Sequence, residues 1–242
     1  MKAAYLRHAY RYDLASGLSN ARIEPEAHQV FAAHRVTSKL APRMILADEV
    51  GLGKTIEAGL VLKELRARGL ADRVLIVTPA SLTRQWQQEL HGKFNEEFQI
   101  FDGAALKYLG KDGRNPWGKS DSVICSLPFV ANPKRAEQVV EVDWDIVIFD
   151  EAHRVRRSFK SAGEANVTQA YRLADDLKES VTGLLLLTAT PMQLHPFELY
   201  SLIELVEPGL YKSFEHYQRE SAELPRLNDL MRGLLGWETL TV

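Results

Sequence analysis

With 242 residues, 45% of them hydrophobic and 26% charged, the chain is long enough for a substantial core and lies outside the compositions of disordered, collagen-like or coiled-coil proteins. Lys and Arg total 30 against 32 for Asp and Glu, and the resulting formal net charge of −2 excludes a global positive field, so any nucleic-acid binding must be local. The single cysteine, Cys125, excludes an internal disulfide and a cysteine-based zinc site, and no signal-like or membrane-spanning apolar run is present; the expectation is a cytoplasmic protein with no membrane partner.

In chain order, the first strand-like run is RMILA (43–47), followed by a helical stretch over 54–68 in which Ile56, Leu60 and Leu65 share a face. RVLIVT (73–78) predicts a strand, 81–93 a helix and FQIFD (98–102) another strand. Residues 103–121 are rich in Gly and Lys and contain Asn115-Pro116, which predicts a long surface connection. SVICS (122–126), DIVIF (145–149) and GLLLLT (183–188) complete the strands, with helices expected over 134–141 and 164–179. Several runs are apolar on both faces, as buried parallel strands are. Beyond Pro191 the pattern is helical, through LYSLIELV (199–206) and LNDLMRGLL (227–235). Alternating strands and helices predict one α/β domain, a mostly parallel sheet with helices on both faces.

Strand RMILA runs into DEVGLGKT (48–55) and then a helix, the context that a phosphate-binding loop requires. Gly51 and Gly53 let successive backbone N–H groups turn inward at a helix N-terminus, forming a cradle for a triphosphate. Lys54 would reach the β- and γ-phosphates of ATP, and Thr55 would ligate Mg2+. The generic pattern begins with glycine, whereas Asp48 stands here, so a glycine-rich turn with a solvated lysine is the competing reading.

DIVIF ends in Asp150-Glu151-Ala152-His153, two carboxylates at the strand edge where ligands of open α/β sheets bind. Asp150 can hold magnesium through its water shell, and Glu151 can orient and deprotonate an attacking water. A helix N-cap with an acidic first turn is the plainer alternative. His153 has no second His or Cys at ligand spacing and is not read as a metal ligand. Thr188 and Thr190 follow the GLLLL strand, where their hydroxyls can bond Glu151 or His153 and report the nucleotide state; an ordinary strand exit broken by Pro191 explains them equally.

Taken as a set and in this order, DEVGLGKTIEAG, VTPASLTRQWQQEL (77–90), FDEAHR and LTATPMQ resemble motifs I, Ia, II and III of the helicase-like ATPases of superfamily two, SWI/SNF group. Loops of that group commonly read DE-x-GLGKT, so Asp48 fits, and with it Glu49 and Leu52 as loop residues. DEVGLGKTIEAGL and the Asn-Pro-Trp at 115–117 are most similar to bacterial RapA-type and DISARM-type members. IEPEAHQ (23–29) resembles the segment in which a glutamine recognises adenine, which assigns that role to Gln29.

The resemblance implies a P-loop, RecA-like first lobe over 21–210, with an N-terminal extension at 1–20 and the helical start of an inter-lobe region at 211–242. It implies ATP-driven translocation on double-stranded DNA, usually without strand separation, completed by a second RecA-like lobe that carries the arginine finger. Nothing after residue 200 resembles motifs IV to VI, so the chain by itself is expected to bind nucleotide and turn it over barely. RNA polymerase or defence-system proteins are the further partners implied. The tracking strand maps to Thr78, Pro79, Ser81 and Ser126, where small hydroxyls and backbone N–H groups contact phosphates. Two basic clusters, Arg154, Arg156, Arg157 and Lys160, and Lys107, Lys111, Arg114 and Lys119, either neutralise phosphates or are solvated faces. Trp86, Trp144 and Trp237 are expected in the core or in lobe packing, Trp117 as an anchor for its loop, and Cys125 as a buried apolar residue. A nucleotide-responsive binding module without turnover is the alternative function.

Overall fold

The structure is a computed structural model that describes residues 22–47, 53–159, 165–189 and 194–223. In chain order its main elements are α1 (Ala27–Thr37), β1 (Arg43–Leu46), α2 (Lys54–Ala67), β2 (Val74–Thr78), α3 (Thr83–Phe94), β3 (Gln99–Phe101), α4 (Gly103–Leu109) and β4 (Ser122–Ser126). There follow α5 (Leu127–Val130), α6 (Pro133–Val140), β5 (Ile146–Phe149), β6 (Arg157–Phe159), β7 (Ala165–Val167), α7 (Gln169–Ser180), β8 (Gly183–Leu187) and α8 (Pro196–Val206). A last helix, α9, spans 214–223. Among the described residues no helix is long and apolar enough to cross a membrane.

Six strands form one sheet in the order β1-β8-β5-β2-β4-β3, every pair parallel. Parallel neighbours need crossover connections, and these carry the helices onto both faces. Alternation along each strand then divides the core. Val74, Ile76, Ile146, Ile148, Leu185 and Leu187 pack against α1, α2 and α3 on one face; Leu75, Val77, Val147, Phe149, Leu184 and Leu186 pack with residues of α7 and α8 on the other. Five-residue strands buried at every position, as β2 and β8 are, explain the uninterrupted apolar runs in the sequence.

Two predicted stretches differ from the fold. Residues 103–121 are not an open connection: Asp102 accepts hydrogen bonds from the Ala104 and Ala105 N–H groups, both at 2.9 Å, and so caps α4. Trp117, in a short 3-10 turn, is wholly buried, 5.4 Å from the Phe101 ring and 6.3 Å from that of Phe129. Trp117 is thus the anchor its place in a polar loop suggested, while the Gly and Lys content marks the segment's solvent face and hid the short helix. The predicted helix over 164–179 is shorter, because Ala165–Val167 pairs antiparallel with Arg157–Phe159 and the helix begins only after Thr168, whose hydroxyl accepts the Tyr171 N–H at 3.1 Å. Helix α1 had no counterpart among the predicted elements. LNDLMRGLL (227–235) and Trp237 lie outside the described residues.

Helices α2 and α3 approach closely at Gly59, where an added Cβ would lie 2.2 Å from the ring of Phe94, itself fully buried. The higher helix propensity of alanine, ~1 kcal/mol, competes there with an overpacking penalty of ~1–3 kcal/mol in a core without room to yield. Gly59→Ala should therefore lower stability in urea unfolding, and Phe94→Leu in the same background should restore part of the loss.

Candidate nucleotide site

An all-parallel sheet brings the C-terminal ends of its strands to one edge. The register aligns Leu46 of β1 with Leu187 of β8, Leu186 with Phe149 of β5, Phe149 with Val77 of β2, and Thr78 with Ser126 of β4. The groups that follow these residues therefore line up. The Asp150 N–H still reaches the Val77 carbonyl at 2.8 Å, and the Thr188 N–H reaches that of Leu46 at 3.0 Å.

At the β1 end, Gly53 precedes α2 in the left-handed conformation, φ 88° and ψ 38°, and no side chain caps the helix. Only glycine adopts that backbone freely. The Gly53 carbonyl takes the N–H groups of Ile56 and Glu57 at 2.7 and 3.0 Å, which opens the helix at Lys54 with Thr55 next. First-turn N–H groups have no intrahelical acceptor, so the start of α2 favours an anion. Gln29 sits against this turn: a Cβ on Gly53 would come within 2.6 Å of its Nε2. Its Oε1 accepts the Glu26 N–H at 3.0 Å in a capping box at the start of α1. Sequence positions 23–29 and 53–55 thus meet. Asp48, Glu49, Gly51 and Leu52 lie outside the described residues.

Asp150 is 8% exposed, and both of its carboxylate oxygens accept hydrogen bonds. Its Oδ2 accepts the indole N–H of Trp86 at 2.8 Å and the hydroxyl of Thr78 at 3.2 Å, while Oδ1 accepts the Glu151 N–H at 2.9 Å. Glu151 adopts φ 52° and ψ 48°, a left-handed conformation that costs a non-glycine residue ~1 kcal/mol or more and turns the chain sharply out of β5. Its Oε2 lies 3.0 Å from Nδ1 of His153, although that nitrogen makes no well-directed hydrogen bond. The plainer alternative, a helix N-cap with an acidic first turn, does not describe this arrangement: only a three-residue 3-10 turn follows, with Glu151 as its left-handed cap residue.

The remaining candidates fall in different places. Thr78 is not a surface phosphate contact: it is buried and its hydroxyl serves Asp150. Ser81, in the exposed 3-10 turn Ala80–Leu82, and Ser126, half-buried at the start of α5, do reach the surface. Ser126 lines a cleft of about 640 Å³ with Thr83, Arg84, Gln87 and Gln99. Thr188 is buried at the end of β8, whereas Thr190 and Lys160 lie outside the described residues. Arg154 is exposed, but Arg156 pairs with Glu198 at 3.0 Å. Arg157 is ion-paired with Glu204 and lies over the rings of Tyr171, Phe197 and Tyr200 at 5.1, 5.4 and 5.8 Å. Its guanidinium is committed to α8, which corrects its assignment to a phosphate-binding face. In the second basic cluster, Arg114 and Lys119 both pair with Asp112 and hold that carboxyl well below the ordinary carboxylate range.

Trp86 is the residue that its sequence context underrates, since it reads there as core alone. A buried tryptophan must find an acceptor for its N–H, so a Trp in the helix following β2 was a pointer toward the acidic strand end beside it.

A family model described as the SNF2-related domain matches residues 28–231. Among sequence relatives are the proteins named RNA polymerase-associated protein RapA from Yersinia pestis (strain Pestoides F) and from Yersinia pseudotuberculosis serotype O:1b (strain IP 31758). Each is 39% identical over 227 residues, covering 93% of this chain and 23% of the relative. Among solved structures, the Sulfolobus solfataricus SWI2/SNF2 ATPase core in complex with dsDNA gives a TM-score of 0.64 at 20% identity, covering 83% of this chain and 39% of that one. The SWI2/SNF2 ATPase core domain of the same organism gives 0.63 at 21% identity, covering 89% and 42%. The fold, a parallel sheet with helices on both faces, is shared with these SWI2/SNF2 ATPase cores. The chain belongs to the SNF2-related family, and it spans less than a quarter of the length of the curated relatives it matches.

If Arg157 is a tie to α8, replacing it with a shape-filling apolar residue should be felt in stability. Arg157→Met loses an ion pair and a partly desolvated cation–π contact, together ~1–2 kcal/mol. The midpoint of urea unfolding should fall accordingly, whereas Arg154→Met, at an exposed position, should leave it within ~0.5 kcal/mol of wild type.

Proposed function

We propose that this chain is the ATP-binding lobe of an ATP-dependent double-stranded-DNA translocase, hydrolysing ATP when completed by a second RecA-like lobe. The observation that carries the reading is convergence at one sheet edge: the uncapped start of α2 with Lys54 and Thr55, Gln29 packed on Gly53, and Asp150 with Glu151 two strands away. In this reading Gln29 recognises the adenine edge. The first-turn N–H groups of α2 and the Lys54 ammonium bind the phosphates.

The donor set suits Mg2+. Asp150 and Thr55 offer hard oxygen ligands, and among the described residues no group of three or more His, Cys, Asp or Glu forms a metal cage. Magnesium is typically held by one or two carboxylates together with substrate phosphates and water. When bound, the ion would neutralise phosphate charge as the γ-phosphoryl group leaves. Glu151 orients the attacking water and takes its proton. Thr188 and Thr190 couple the nucleotide state to the neighbouring surface.

DNA phosphates would contact the exposed turn bearing Ser81, the Ser126 edge and Arg154, without reading sequence. The relatives named for association with RNA polymerase support that enzyme as the partner of the whole protein, and hence a cytoplasmic setting. Defence-system proteins are the other partners that the family resemblance allows.

Lys54→Ala should weaken Mg-ATP binding, measured by calorimetry, by about 2–5 kcal/mol, the cost of leaving phosphate charge unpaired; equal affinities would sink the reading. In a protein carrying both lobes, Glu151→Gln should keep ATP but lose at least ~10²-fold in turnover. DNA-stimulated phosphate release by wild type separates a motor lobe from a nucleotide-responsive binding module, which would bind both ligands and release none.

A further inference from the structure

Trp86 is 2% exposed among apolar side chains of one core face, where a phenylalanine would satisfy the packing alone. Its one polar atom nevertheless points at Asp150, 2.8 Å from Oδ2, and the buried Thr78 hydroxyl reaches the same oxygen at 3.2 Å. Tryptophan is a donor only, and an ionised carboxylate has about four acceptor positions across its two oxygens. Two donors converge on Oδ2, whereas among the described residues Oδ1 takes the Glu151 N–H alone. Such a pattern fixes the rotation of the carboxylate and leaves Oδ1 with acceptor capacity.

We infer that Trp86 and Thr78 are positioning residues that clamp Oδ2 of Asp150 and so select Oδ1 as the oxygen available to the hydrated magnesium of the nucleotide complex. The inference rests on the proposed ATP-binding reading and adds two residues to it. Both donors come from one chain segment, 78–86, which leaves β2, forms the exposed turn at Ala80–Leu82 and returns through the first turn of α3. Charge-assisted bonds of this kind set the orientation of a metal-binding carboxylate, and loss of such a partner typically costs 10- to 100-fold in metal affinity.

The test titrates the chain with ADP by calorimetry, with and without magnesium. Trp86→Phe keeps the ring and removes the N–H; Thr78→Val removes the hydroxyl at nearly constant shape, and Thr78→Ser retains it. Trp86→Phe and Thr78→Val should each lower the magnesium-dependent gain in affinity by ~10-fold while leaving magnesium-free affinity unchanged, and Thr78→Ser should behave as wild type. In an Asp150→Asn background, Trp86→Phe should add nothing further. A general structural role predicts instead equal losses with and without magnesium, persisting in the Asp150→Asn background, and that result would overturn the inference. So would wild-type magnesium dependence in both Trp86→Phe and Thr78→Val. Should Trp86→Phe not fold, the Thr78 pair decides alone. Absence of magnesium-dependent binding in the wild type itself would defeat the nucleotide reading, and this inference with it, before any variant is compared.

Discussion

Because the six strands run parallel, every crossover returns the chain to the same starting edge, and every strand delivers its last residue to the opposite one. Groups separated by about a hundred residues in sequence, such as Lys54 and Asp150, thereby come to one row. The register is what makes the row level: a shift of one residue between β2 and β5 would reverse the facing of Val77 and Phe149 and carry Thr78 away from Asp150. Tight burial of both sheet faces enforces that register, since the apolar strand residues are each claimed by one of two cores. The geometry of the site is in this sense a product of packing far from it.

The strand end at Asp150 shows what the edge demands locally. A buried carboxylate is tolerable only when its oxygens are hydrogen-bonded, and here three donors from β2, α3 and its own neighbour meet that need. Satisfying Asp150 in turn constrains Glu151, whose N–H must fold back to Oδ1 while its backbone enters the left-handed region. Strain of that kind survives where the surroundings over-determine it. The wholly buried Ala152 and Val155, on either side of the short turn that follows, supply that support.

How much of this was legible in the sequence depended on which physical signal each residue carries. Strands announced themselves because fully buried parallel strands are apolar without interruption, and the start of α2 because Gly53 before Lys-Thr marks a strand-to-helix junction. Strand order was not legible: nothing in RVLIVT states that it lies beside DIVIF, so Thr78 was read as facing outward when its neighbour strand turns it toward Asp150. Composition misled at 103–121, where solvent-facing Gly and Lys hid the helix Gly103–Leu109, although Asp102 before Gly-Ala-Ala was a usable cap signal. Local charge misled at Arg157, because an arginine cluster looks the same in sequence whether its partners are phosphates or the carboxylates of a helix forty residues on.

That arginine also explains how the segment after the carboxylates is held. Strand β6 is stitched to α8 at Arg157 twice: its N–H donates to the buried Ser201 hydroxyl at 3.1 Å, and its guanidinium pairs with Glu204. One residue earlier, Arg156 pairs with Glu198, which also closes the capping box of α8 by accepting the His195 N–H at 3.2 Å. The same Phe197 and Tyr200 rings meet Phe214 and Tyr217 of α9, with ring centroids 5.1 to 5.7 Å apart. The path from α9 through α8 to Arg157 is thus continuous and side-chain mediated, and it ends six residues beyond Glu151. Exposed ion pairs alone would make such a path soft, but three aromatic rings lie against the Arg157 guanidinium and partly shield the pair from solvent. The edge that carries the carboxylates and the helical region after β8 are therefore tied by direct side-chain contacts, made at the residues whose charge looked, from sequence, free to face solvent.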